Sequence, residues 1–213
     1  ANQMNHVILQ VPLPQDTLWL ECTNPSLPFG YVHQDIAGHD ALLIEPDGGK
    51  MRRLPTYPDS LNTQHIAADI TLSPTAEARI EVNEVSRIFQ YENEAGIVYL
   101  EPNKQKDRIR SGIHLSQADI RNLQISECKE ANPSITFRYT ATSNQYGHKT
   151  GNRLFIPANV FRKEFSVPPL TKRTYPIHID YGYTDTDSIR IQLPEGYVIE
   201  GLPKPLDVKS KFG

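Results

Sequence analysis

The sequence has little cysteine, no long apolar run and no concentration of one charge. Its 213 residues include two cysteines, Cys22 and Cys128, which fit no metal-binding spacing and cannot form a disulfide framework. No apolar run approaches the roughly 20 residues that a membrane-spanning helix needs. The formal net charge is −3 and both signs are interspersed, so no basic stripe indicates nucleic acid as a partner.

Several motifs of catalytic or metal-binding proteins are also missing. The sequence has no Gly-x-Ser-x-Gly elbow, so a serine triad has no support. The seven histidines show no ligand spacing, so the sequence predicts no bound metal and no cofactor. Asp180, Asp185 and Asp187 lie in one short segment but lack the ligand order of an EF-hand. A solvated connection between strands is the default interpretation there, and calcium binding is the alternative.

Residues that favour strands and turns are abundant. Seventeen prolines, ten tyrosines and many runs of Thr, Val and Ile favour strands over helices. Within residues 1–62, the sequence Asp47-Gly48-Gly49 between 41–44 and 51–54 predicts a hairpin. The stretch 55–62 is polar and interrupted by proline, which is typical of a linker.

The sequence after residue 62 predicts a second unit of many short strands. Residues 89–115 have the pattern of one or two amphipathic helices broken near Pro102. The predicted strands are 66–72, 78–85, 119–126, 134–142, 152–157, 173–181, 188–193 and 197–202, the last two joined by a turn at 194–196. Even spacing with one helical insertion predicts an antiparallel β-sandwich over residues 63–213, and the fold class is therefore mainly β.

The first two strands bring a histidine and a carboxylate together. Residues 4–11 and 16–23 alternate around a short turn that contains proline, which predicts a β-hairpin. A four-residue loop would place His6 directly opposite Glu21, with Cβ atoms about 5 Å apart. The pair is then the histidine and acid of a nucleophile–histidine–acid triad. A partly exposed histidine beside a carboxylate, without function, is the other open interpretation.

Neither cysteine is placed to act as the nucleophile of that triad. Strand alternation puts Cys22 on the face opposite Glu21, so we expect it to be a small buried hydrophobic residue. Cys128 follows a strand, and nothing nearby marks it as a reactive thiol. Trp19 is the only tryptophan and is expected beside the histidine–acid face, as core or as a wall of a substrate cleft.

The segments Asn5-His6-Val7 and Trp19-Leu20-Glu21-Cys22-Thr23 resemble two motif strands of the transglutaminase-like superfamily, N-H-[AV] and W-x-[DE]-x-T. The resemblance implies that His6 is the triad histidine and Glu21 the triad acid, where Asp is the usual residue. The segments 151–157, 173–177 and 193–197 look like the C-terminal sandwich of multidomain proteins of gut Bacteroidetes. In those proteins, a sandwich of unassigned function follows the transglutaminase-like core.

The resemblance implies how the chain is divided and what it does. Residues 1–62 would be the C-terminal strands of a transglutaminase-like core, and residues 63–213 an accessory sandwich that is truncated at its C-terminus. The family's nucleophilic cysteine lies upstream of the histidine strand. The chain is therefore expected to be an inactive fragment of a cysteine peptidase or amidase that transfers acyl groups at amide bonds. The alternative is a non-catalytic binding or structural module attached to a pseudoenzyme core.

Expectations about partners follow from the same resemblance. The expected partners are a protein or peptide substrate of the parent enzyme and the missing upstream core domain. Neither a nucleic acid partner nor a membrane span is expected. A periplasmic or secreted location rests on family analogy alone. The apolar hairpin face of Val7, Leu9, Leu18 and Leu20 would pack on the sandwich or on a second copy of the chain.

Overall fold

The computed structural model describes residues 6–161, 172, 174–176 and 179–210, and its regular structure is mostly strand, which confirms the mainly β class. Within those ranges, no helix is long and apolar enough to span a membrane. The elements are β1 Ile8–Pro12, β2 Thr17–Glu21, β3 Asp40–Glu45, β4 Gly48–Arg53, β5 Thr63–Leu72, β6 Ala78–Arg87, α1 Phe89–Ala95, a 3-10 turn Gly96–Tyr99, α2 Pro102–Ser111, β7 Asp119–Cys128, β8 Ser134–Ser143, β9 His148–Thr150, β10 Arg153–Phe155 and β11 Thr184–Gln192.

The largest sheet has five strands in the order β11-β5-β6-β8-β7. Strands β5, β6, β8 and β7 pair antiparallel, whereas β11 pairs parallel to β5, with Thr184 opposite Thr63. The sequence did not indicate this parallel edge strand. Burial alternates along β5, where Ile66, Ala68 and Ile70 are buried and the residues between them are exposed, so one face of the sheet points into a core.

The helical insertion contributes to the core behind this face. Helix α1 contacts β6 and β8, and α2 contacts β7. Tyr91 and Ile109 belong to the same buried cluster as Ile80 and Phe137 of the sheet. Pro102 occupies the first turn of α2, where its missing N–H costs nothing, so the predicted break near this proline is confirmed.

A second, aromatic cluster joins the first part of the chain to the large sheet. Tyr31, Ile88 and Phe89 are its buried centre, and Tyr57 and Tyr181 pack against them. The rings of Tyr31 and Tyr57 stack with their centroids 5.6 Å apart. The stretch 55–62, predicted as a linker, has no helix or strand, yet Tyr57 is packed in this cluster.

Asn62, at the end of that stretch, is fully buried at the start of β5. Its side chain donates to the carbonyl of Gly182 at 2.7 Å and accepts from the backbone N–H of Gln90 at 3.1 Å. Its own carbonyl accepts from the backbone N–H of Thr184 at 3.0 Å. One asparagine therefore fixes the beginnings of β5, α1 and β11 relative to each other.

The structure corrects some strand predictions near the C-terminus. The predicted strand 197–202 is wrong: Val198 and Leu202 are 86% and 75% exposed, and no strand pairs with this segment. The turn before it does form, because the backbone N–H of Tyr197 donates to the carbonyl of Pro194 at 3.2 Å. The predicted strand 188–193 is confirmed as part of the longer β11, and 152–157 is reduced to β10. Residues 173, 177 and 178 of the predicted strand 173–181 lie outside the described residues, and the others form no strand.

Candidate functional site

The first hairpin brings His6 and Glu21 together through a register that differs from the predicted one. Ile8 lies opposite Glu21 and Leu9 opposite Leu20, a shift of two residues, so the predicted direct pairing of His6 with Glu21 is wrong. The loop has four residues as predicted but starts one position later, and the N–H of Leu13 donates to the carbonyl of Asp16 at 2.8 Å. Since side chains alternate with a period of two, the shift keeps His6 on the face of Glu21.

His6 and Glu21 are therefore diagonal neighbours, and their side chains reach each other. Nε2 of His6 lies 2.6 Å from Oε2 of Glu21. The Glu21 side chain is 3% exposed and that of His6 is 25% exposed, so the bond is largely shielded from water. The longer side chain of glutamate, compared with aspartate, helps it to span a diagonal rather than a direct pair.

The other oxygen of Glu21 is held by Thr23, two residues along the chain. Oε1 accepts from the backbone N–H of Thr23 at 2.6 Å and from its hydroxyl at 2.5 Å. Burial raises the pKa of the Glu21 carboxyl, but these two bonds and the contact with His6 outweigh it and lower the pKa to about 2. Glu21 is therefore a fixed carboxylate, and its Oε2 points at His6.

A third side chain, His33, completes the group and was not singled out from the sequence. Its Nε2 lies 3.1 Å from the same Oε2 of Glu21, and its ring packs edge-on against that of His6 with centroids 5.2 Å apart. Nδ1 of His33 lies 3.8 Å from a carboxylate oxygen of Asp35. His33 comes from a loop with no strand period, so pattern and register gave no information on where it would point.

Hydrogen bonds to helix α1 and to the aromatic cluster fix the loop that carries His33. The Tyr31 hydroxyl donates to a Glu92 oxygen at 2.8 Å, and the backbone N–H of Gln34 donates to the same oxygen at 3.0 Å. Between them, the N–H of Val32 donates to the Tyr57 hydroxyl at 3.1 Å. The apolar pair Tyr31-Val32 inside a polar loop is the sequence signal that could have predicted a buried, anchored segment here.

The other residues singled out from the sequence are Trp19 and the two cysteines. Trp19 is half-buried on the face of Glu21, opposite Gln10, so the structure places it on the predicted face. Cys22 is exposed, which corrects the expectation of a buried residue, and Cys128 is exposed as well. Within the described part of the chain, the cluster of ligand-type side chains at Glu21 contains His6 and His33 and no cysteine.

The apolar face of the hairpin is the one turned outward. Val7 and Leu9 are 75% and 55% exposed, while Leu18 and Leu20 are half-buried. The expectation that the sandwich covers this face is wrong for Val7 and Leu9. Covering by a second copy of the chain stays a prediction.

The carboxylates of the 180–187 segment do not converge. Asp185 accepts a hydrogen bond from the Gln90 side chain at 2.6 Å, and Asp187 accepts one from the Asn159 side chain at 2.5 Å. No metal-type cluster forms around these three aspartates in the region that the structure describes. The structure gives no support to the calcium alternative.

A comparison with known protein families finds a match to the C-terminal part of the chain. Residues 152–213 match a family described as a "Domain of Unknown Function with solved-structure structure (DUF3858)". The match covers less than a third of the chain and includes β10 and β11 but not the site at Glu21. It agrees with the expectation of a C-terminal domain of unassigned function. No curated protein and no solved structure matches the chain.

Proposed function

We propose that this protein supplies the histidine and the acid of a cysteine-dependent site that transfers acyl groups at amide bonds. The observation that carries the proposal is the 2.6 Å contact between His6 Nε2 and Glu21 Oε2, with the acid locked by Thr23. The resemblance of both strands to transglutaminase-like motifs supports the same assignment.

The geometry assigns the two ring nitrogens of His6 different roles. Glu21 accepts from Nε2–H, so Nδ1 carries the lone pair and is the nitrogen that would face a thiol. In such a site the imidazole takes the thiol proton, and the resulting thiolate attacks the amide carbonyl carbon. The imidazolium then protonates the leaving amine while the carboxylate of Glu21 stabilises its charge.

In this proposal the thiol comes from a polypeptide segment outside these residues. Cys22 is not the proposed nucleophile because strand alternation directs its side chain away from Glu21 and its thiol does not belong to the cluster of His6, Glu21 and His33. Cys128 ends β7 in the other part of the fold. The protein alone is then inactive, because losing the nucleophile of a triad removes almost all of its rate enhancement.

Trp19 is proposed to form part of the wall of the substrate cleft. It lies on the face of Glu21 and is half-buried, so part of its ring is available to a peptide. The substrate would be a protein or peptide, and a periplasmic or secreted location accompanies this proposal by family analogy.

The alternative is a non-catalytic module on a pseudoenzyme core. The exposure of both cysteines and the absence of a thiol from the described cluster are the observations that favour it. Under this alternative, His6 and Glu21 only stabilise the hairpin.

The test is amide hydrolysis by the full-length polypeptide that carries these residues. We expect His6→Ala to lower kcat/KM by about 10⁴-fold or more and Glu21→Gln by about 10³–10⁴-fold. His39→Ala is the matched control, since it removes an exposed histidine outside the cluster and should leave kcat/KM unchanged. Hydrolysis by His6→Ala within a few-fold of the unmodified enzyme would contradict the proposal, as would a full-length sequence without a cysteine at the start of an upstream helix.

A further inference from the structure

The cluster at Glu21 has the donor set of a metal centre as well as that of a triad. One ligand-type atom from each of His6, Glu21 and His33 lies within 4.8 Å of the other two. The three side chains come from the segment before β1, from the end of β2 and from the loop after it. We propose that they form a zinc-binding site.

The chemistry of the donors favours zinc. Two imidazoles and one carboxylate are a ligand set that zinc uses in proteins, with a fourth position left to water or a substrate group. Two neutral imidazoles and one carboxylate leave a net charge of about +1 on a bound Zn²⁺ site, which a partly buried position tolerates better than +2.

The surroundings of His33 supply an independent argument. Carboxylates face both of its ring nitrogens, Glu21 at 3.1 Å from Nε2 and Asp35 at 3.8 Å from Nδ1. An imidazolium could donate toward both carboxylates, and a metal ion at Nε2 would be compatible with the same arrangement. With an ion at Nε2 the proton lies on Nδ1, on the side of Asp35, as in sites where a carboxylate orients a metal-bound histidine.

One carboxylate oxygen of Glu21 is held by hydrogen bonds, and the other is available as a metal ligand. Thr23 occupies Oε1 with two hydrogen bonds, which leaves Oε2 as the atom shared by both histidines. For Oε2 to bind an ion, both histidines must turn their Nε2 atoms from this oxygen to the ion, and His6 must carry its proton on Nδ1 instead of Nε2. The carboxylate is thus oriented before any metal arrives, and this lowers the cost of binding.

Side-chain movements of up to roughly 1.5 Å are needed to admit the ion, because the ligand atoms lie within 4.8 Å of one another. With zinc–ligand distances near 2.1 Å and tetrahedral angles, ligand atoms lie roughly 3.4 Å apart. The 3.1 Å between His33 Nε2 and Glu21 Oε2 is already near this value. His6 must withdraw by somewhat less than about 1 Å from its 2.6 Å contact, and His6 is the most exposed of the three side chains.

This inference goes beyond the proposed function and does not depend on it. A zinc ion would use the same His6 nitrogen that the acid orients, so metal binding and acyl transfer exclude each other at this site. Binding can therefore be measured on the 213-residue protein without any nucleophile, and hydrolysis can be measured with a chelator present.

The experiment is a titration of chelator-stripped protein with Zn²⁺, followed by calorimetry, and with Co²⁺, followed by visible absorption. We expect one ion per chain, a tetrahedral Co²⁺ spectrum, and at least about tenfold weaker binding in each of His6→Gln, His33→Gln and Glu21→Gln. His39→Gln is the matched control and should bind as the unmodified protein does. Metal-free unfolding curves establish that each variant is folded.

Two results would overturn the proposal. One is equal zinc affinity in the unmodified protein and in His33→Gln, because the second imidazole would then not be a ligand. The other is a loss of zinc affinity in His39→Gln as large as the loss in the three cluster variants, because the ion would then bind exposed histidines in general. Neither result affects the triad assignment, which is tested separately by hydrolysis in the presence of chelator.

Discussion

The hydroxyl of Tyr31 donates a hydrogen bond of 2.8 Å to the carboxylate of Glu92, and this bond attaches the loop that carries His33 to helix α1. Tyr31 is fully buried. Burial and the neighbouring charge of Glu92 raise the pKa of its phenol well above the ordinary value, so it stays a donor at any physiological pH. The site on the hairpin therefore depends on the other part of the fold.

Replacing Tyr31 with Phe should destabilise the protein by about 1.5–3 kcal/mol, the usual loss for a hydrogen bond to a charged group. The measurement is the free energy of unfolding in urea. Tyr99→Phe is the control, because Tyr99 is 62% exposed and its loss should cost less than about 0.5 kcal/mol. Equal effects of the two substitutions would show that the bond to Glu92 does not anchor the loop.

Replacing Thr23 with Val should raise the pKa of Glu21 from about 2 toward its ordinary value of 4.5, because it removes the hydroxyl bond, while the backbone N–H of residue 23 and His6 still oppose the effect of burial. The check is a carbon NMR titration of the carboxyl with a chelator present. The lowered pKa adds stability that is present above pH 4.5 and is lost as pH falls toward 2. Between these pH values, the variant should therefore lose less stability than the unmodified protein. Thr17→Val, at the start of the same strand, should change neither quantity.

Stability should fall at alkaline pH because buried tyrosines resist ionisation. Burial raises the pKa of Tyr146 to about 12 and raises those of Tyr91 and Tyr139 above their ordinary value of 10.0. A raised folded-state pKa favours the neutral phenol in the fold, so this stability is complete below pH 10 and is lost as pH rises toward 12 and beyond. Urea midpoints measured from pH 9 to 12 should decrease, and Tyr146→Phe should decrease less. Midpoints that stay constant to pH 12 would contradict the burial of these phenols.

Strand alternation was enough to find the face that His6 and Glu21 share, but not their register. Apolar residues alternate over β1 and β2, and any shift by two residues preserves that pattern. The exact position of the proline-containing loop decides among such registers. The sequence indicates no energetic cost for shifting the loop Leu13–Asp16 by one residue. The side-chain contact survived because glutamate is long enough to bridge a diagonal.

His33 and β11 could not be found by pattern because both depend on distant contacts. His33 is placed by buried Tyr31, which packs on Phe89 and bonds to Glu92 far along the chain. Strand β11 joins β5 in parallel, and a parallel pair joins segments that no local turn connects. The residues at 197–202 have strand composition, but no described strand pairs with them, so propensity alone was misleading there.

The central claim, that His6 orients toward a catalytic thiol with Glu21 behind it, is tested most directly by the pH dependence of thiol alkylation in the full-length polypeptide. A thiolate stabilised by imidazolium reacts with iodoacetamide well below the ordinary thiol pKa of about 8.5. The account predicts fast alkylation of one cysteine at pH values below that point, and a shift of the profile to about 8.5 in His6→Ala. Profiles that coincide in the unmodified protein and in His6→Ala would contradict the account.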